Sequence, residues 1–141
     1  NEARETLNSY DGTPEHMRRI VEVMFVEPKW AADDAYIARR QELATLPGAW
    51  EATAAARFKA PFRSQGSASE REALDYSKIT VPCLVMAGVH DPLRLPDYAP
   101  ELAAQIPGAA LHVFNNGAHM PNIECADEFN RVLIDFLKES P

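Results

Sequence analysis

Apolar and polar positions follow two different rhythms along the 141 residues. From Thr80 to Pro121 the stretch TVPCLVMAGVHDPLRLPDYAPELAAQIPGAALHVFNNGAHMP holds two apolar runs of strand length, Val81 to Ala87 and Leu111 to Phe114. Gly and Pro bound both runs, and Asp97 to Ile106 between them has helical spacing. Strand, helix and strand in that order predict a βαβ unit and therefore a parallel sheet, an α/β architecture. In such sheets functional side chains belong in the loops at the carboxyl ends of the strands. Asp91 follows the first run and His119 follows the second.

On either side the rhythm is helical. Thr13 followed by Pro14 is a helix start, because the hydroxyl can cap free amides and the proline sits where its missing N–H costs nothing. Ile20, Val21, Met24 and Phe25 form its apolar face and Pro28 stops it. Asp33 or Asp34 starts a second helix through Ala44, with Tyr36, Ile37 and Leu43 on its packed side and Pro47-Gly48 ending it. Arg39 and Arg40 lie close to that side, so one of them can turn inward. Trp50 to Phe58 continues as an alanine-rich helix, Lys59 to Ser69 reads as a loop, and Ser69 with Glu72 makes a capping box for a short helix to Tyr76. Glu124 begins a closing amphipathic helix with Phe129, Val132, Leu133, Phe136 and Leu137 on one face. The chain thus divides into a helical part, residues 1–78, and a strand-and-helix part, residues 79–141.

Composition narrows the function. A net charge of −7 with no basic cluster argues against nucleic acid or an anionic membrane surface, leaving a small molecule as the expected partner. No apolar run reaches transmembrane length, and the first residues, NEARETLNSYDG, lack the pattern of a signal peptide. Cys83 and Cys125 are far apart and form neither a disulfide framework nor a CxxC motif, which fits a reducing cytoplasm. Cys83 reads as a small hydrophobe in a strand, and Cys125 as a thiol in a first helical turn, where the dipole favours thiolate. His16 reads as a solvent-facing helix residue. His90, His112, His119 and Glu124 lack the ligand spacings of a zinc site, so neither a metal nor a cofactor is expected.

An Asp after one strand and a His after the next is the arrangement in which a carboxylate holds an imidazole in one tautomer and stabilises the imidazolium that forms. The order Asp then His is that of the last two triad members in α/β-hydrolases. The chain resembles the lid and C-terminal part of such an enzyme. LHVF, Gly117-Ala118-His119 and ADEFNRVLIDFL resemble the meta-cleavage product hydrolases in particular, which hydrolyse a carbon–carbon bond in ring-opened products of aromatic degradation. The resemblance implies Asp91 and His119 as catalytic residues, residues 1–78 as the lid, and Arg39 as a lid cation that holds the acidic substrate. Trp50 and Met120 are expected at the substrate cleft, Met120 standing where many family members carry tryptophan. An ordinary esterase with a helical lid has the same general plan.

The family's serine is missing. Serines occur at 9, 64, 67, 69, 77 and 140, none in a GxSxG elbow, and the Gly-rich oxyanion loop is absent too. Two parallel strands leave edges with unpaired backbone groups, so another chain or self-association is expected to complete the sheet. Three arrangements fit: a C-terminal piece working with an N-terminal partner chain that carries the serine, a truncated homo-oligomer serving in binding or assembly, or a short chain catalysing a simpler reaction. Asn1 at the start, instead of Met, fits trimming or cleavage from something longer.

Overall fold

A computed structural model describes residues 2–49, 52, 75–94 and 97–139. The expected helix Trp50 to Phe58, the loop to Ser69, the Ser69–Glu72 capping box, and Trp50 itself lie outside these residues.

The first helices assemble around α2, Pro14–Met24. As its sequence predicts, the Thr13 hydroxyl accepts the His16 N–H at 3.2 Å, and Pro14 occupies the first turn. Met17, Ile20, Val21 and Met24 share one face and meet Ala31 and Ile37, giving a core of buried side chains. Ala31 lies on α3, Lys29–Ala32, and Ile37 on α4, Asp34–Ala44, whose start is fixed by the Asp33 carboxylate accepting the Tyr36 N–H at 3.0 Å. Leu43, expected on the packed side of α4, is exposed, and its neighbour Ala44 packs against this core instead.

His16 departs from expectation more sharply, because it is buried. The polar opening segment gives little sign of a helix, yet it forms α1, Glu2–Asn8, which lies across α2. The His16 ring bonds through Nε2 to the Thr6 carbonyl at 2.9 Å, and its Nδ1 stands 3.4 Å from Asp11. Asp11 in turn accepts the Thr13 hydroxyl at 2.7 Å and the Thr13 N–H at 2.9 Å. Those bonds, the hydroxyl first, hold its carboxyl down to about 2.

The predicted βαβ unit is present: β1 (Leu84–Gly88), α5 (Tyr98–Gln105) and β2 (Ala110–Phe114). The strands pair in parallel, with Leu84 opposite Ala110 and Gly88 opposite Phe114. The apolar run begins at Val81, but Pro82 has no N–H to offer a ladder, and regular pairing starts only at Leu84. Cys83 therefore precedes the strand and is half-buried. The closing helix is broken in two, α6 (Pro121–Glu124) and α7 (Ala126–Glu139), with Cys125 at the joint. Phe129 of α7 stacks on Phe114 with ring centres 5.9 Å apart, and Glu128 reaches His112 at 2.8 Å, which seats α7 against β2. Leu137, expected on its apolar face, is exposed. Among the described residues no helix is long and apolar enough to cross a membrane.

Candidate active site

Two loops meet where β1 and β2 end. Gly88 makes this possible, since a Cβ there would stand 2.1 Å from the Ala118 carbonyl oxygen and 2.4 Å from that of Gly117. The loops are then fastened by backbone bonds, Val89 N–H to the Phe114 carbonyl at 3.0 Å and His90 N–H to that of Gly117 at 3.1 Å. The next residue is Asp91. Its Oδ1 accepts the Leu93 N–H at 2.8 Å, an Asx-type turn that fixes the carboxylate plane.

The other oxygen, Oδ2, stands 2.9 Å from Nδ1 of His119. With Nδ1–H donating to Asp91, Nε2 is left as the basic nitrogen, and among the described residues it has no hydrogen-bond partner. The Asp91 side chain is 15% exposed and that of His119 31%, so the pair lies in a partly dry site where its electrostatic coupling outweighs that of a surface pair. His119 borders two clefts. One, about 280 Å³, is walled by Val85, Ala87, Leu102 and Val113; the other, about 310 Å³, by Arg4, Asn8, Leu93 and Arg94. Chemically, the arrangement can accept a proton at Nε2, hold the imidazolium against Asp91, and return the proton to a leaving atom. Nothing in the 141 residues supplies a GxSxG nucleophile to it.

Residues 5–132 match the model of a family described as the alpha/beta hydrolase family. The chain belongs to that family. This alpha/beta hydrolase chain is 40% identical over 62 residues to 2-hydroxy-6-oxononadienedioate/2-hydroxy-6-oxononatrienedioate hydrolase 2 of Pseudomonas putida, covering 44% of this chain and 22% of that protein. It is 28% identical over 136 residues to 2-hydroxymuconate semialdehyde hydrolase of Pseudomonas putida, covering 96% of this chain and 48% of that protein. The meta-cleavage product hydrolase of Pseudomonas fluorescens IP01 shares the fold at a TM-score of 0.78 and 23% identity, over 98% of this chain and 50% of that one. The chain thus spans half the length, or less, of these relatives.

The other expected site residues scatter. Arg39 points outward, its side chain 66% exposed and 3.3 Å from Glu42. Its neighbour Arg40 turns inward: Nη1 donates to the Tyr36 hydroxyl at 3.2 Å, the guanidinium lies 5.7 Å from the Tyr36 ring centre, and Nε is buried without an acceptor among the described residues. Trp30, whose ring centre is 5.3 Å from that of Tyr36, also buries an N–H with no acceptor among the described residues. Met120 is half-buried, caps the start of α6 and packs against the α2–α4 core. Cys125 differs from expectation: burial first, then the charges of Glu128, Glu124 and Glu27, push its thiol up, away from the reactive thiolate. Among the described residues no three potential ligands gather as a metal site would require.

Sequence reasoning left the inward-turning arginine open between Arg39 and Arg40, and it did not find the bonds that Glu124 makes. Arg40 meets Tyr36 because four residues separate them on one helix face, a spacing that does not by itself exclude Arg39 from turning inward. Glu124 gave no signal, since its bond to Val26 joins residues 98 apart.

Proposed function

We propose that this chain supplies the general base and its orienting carboxylate to an alpha/beta hydrolase that cleaves a carbon–carbon bond in ring-opened aromatic degradation products, the 2-hydroxy-6-oxo-dienoates. The observation that carries the proposal is the 2.9 Å contact between His119 Nδ1 and Asp91 Oδ2 at the carboxyl ends of two parallel strands. The names of the relatives support the substrate class. The serine comes from outside these 141 residues, on an N-terminal partner segment or chain. Residues 1–78 act as the lid and residues 79–141 as part of the core.

In this mechanism Nε2 of His119 takes the serine proton and assists ketonisation of the dienol, and Asp91 steadies the charge that develops on the ring. The histidine then returns a proton to the carbon released as a dienoate. The serine oxygen bonds the carbonyl carbon as the carbon–carbon bond breaks, and water then gives its OH to the acyl carbon and its proton, through His119, to the departing serine oxygen, releasing a carboxylic acid. Arg40 takes the anion-holding role expected of Arg39, because its Nε is buried and lacks an acceptor among the described residues, whereas Arg39 faces solvent beside Glu42. Met120, next to the histidine, borders the substrate.

The test is the loss of absorbance of a coloured dienol, followed in the polypeptide or pair of polypeptides that carries the serine. The expected result is a dienoate product whose formation disappears in His119→Ala. Turnover of simple aryl esters with the dienol left intact would replace this reaction by ester hydrolysis.

A further inference from the structure

One carboxylate in the structure accepts from the backbone of two segments, one just before it in sequence and one far from it. Oε1 of Glu124 accepts the N–H of Val26 at 2.5 Å, and Oε2 accepts the N–H of Ala118 at 2.8 Å. A third bond runs parallel to these, from the His119 N–H to the Met24 carbonyl at 3.2 Å. Ala118 is 3% exposed, and Met24 and Phe25 are buried in the α2–α4 core. Glu124 has no cationic partner among the described residues, and both its carboxylate oxygens accept from backbone amides.

The short helix α6 explains how Glu124 gets there. Pro121 starts the turn, and the Glu124 N–H closes it on the Met120 carbonyl at 3.0 Å, which folds the carboxylate back over the residues just before it. Hydrogen bonds to an ionised acceptor are shorter and about twice as strong as neutral ones. A bidentate clamp of this kind fixes where the Ala118–His119 peptide lies. The imidazole can turn about its own bonds, but it reaches Asp91 only from a backbone held at that place.

We propose that Glu124 is the positioning residue for His119, and that it ties the histidine loop to the end of α2. Displacement of the segment after α2 is thereby transmitted to the ring that faces Asp91. The proposal rests on His119 being the base, as argued above.

The test compares Glu124→Ala, Glu124→Gln and His119→Ala in the serine-bearing enzyme. Glu124→Ala is expected to lower kcat by about a hundred-fold, the scale of an ångström-sized misplacement, with substrate affinity within about two-fold of wild type. Glu124→Gln keeps one acceptor oxygen and turns an NH2 toward the second amide, so its kcat falls between the two. The second readout is the low-field Nδ1 proton of His119 in the 141-residue chain, expected sharp in the wild type and broadened in Glu124→Gln while the amide signals of β1 and β2 stay in place. A purely structural role would lower stability and leave that proton sharp in the folded variant, which would overturn the proposal. So would full kcat in Glu124→Ala beside an inactive His119→Ala. Full activity in His119→Ala would instead overturn the underlying assignment of the base.

Discussion

At the residue scale, neighbouring side chains on one helix have opposite fates. Arg39 ends in solvent beside Glu42, and Arg40 lies against Tyr36 with a buried N–H that has no acceptor among the described residues. Losing a charged hydrogen-bond partner costs on the order of 1.5–3 kcal/mol, or roughly ten- to a hundred-fold in affinity. Arg40→Gln should therefore raise KM for an acidic dienol by about that factor, whereas Arg39→Gln should leave it unchanged; steady-state kinetics with both variants checks this. Asp91 and His119 were legible in the sequence because strand ends mark themselves by Gly, Pro and the end of an apolar run. The choice between Arg39 and Arg40 was not, because both lie near the packed side and only the folded helix shows which of them meets Tyr36.

At the scale of elements, the junctions carry the information that periodicity lacks. Gly88 lets the end of β1 pass under the 117–118 loop, and a methyl group there would collide with two backbone carbonyls. Gly88→Ala should cost about 1–3 kcal/mol or more, read as a lower urea midpoint. The α1–α2 corner gives a pH-dependent prediction. Asp11 is held at about 2 in the fold against an ordinary 3.8, so its ionised form favours the folded state. That stability is fully present above about pH 4 and is lost as pH falls from about 4 to about 2. Melting curves of wild type and Asp11→Asn should differ near neutrality and converge over that interval; a constant difference across it would contradict the assignment. Neither the burial of His16 nor α1 could be read from NEARETLNSYDG, whose only buried residue in α1 is Ala3. The βαβ unit could be read, because an apolar strand core and its bounding Gly and Pro leave few other folds.

For the whole molecule, one cluster of buried side chains gathers in the α2–α4 layer while Phe114 is buried at the end of β2, and the histidine loop is fastened to the helical layer through Met24 and Val26. The strand ends supply the Asp91–His119 pair, and the helices hold the backbone from which His119 projects. Local patterning revealed the parts and their order. The fastening of one part to the other escaped it, since the Glu124–Val26 bond joins residues 98 apart.

The most direct test of the account is a double-mutant cycle on the pair itself, measured as kcat/KM for dienol cleavage in the serine-bearing enzyme. Asp91→Asn presents an NH2 to Nδ1 and forces the wrong tautomer, so it should cost about ten-thousand-fold. His119→Ala should cost at least as much, and the double variant should be no worse than His119→Ala alone, since residues acting as one unit are not additive. Independent, multiplying losses, or full activity in either single variant, would contradict the assignment of Asp91 and His119 as one catalytic unit.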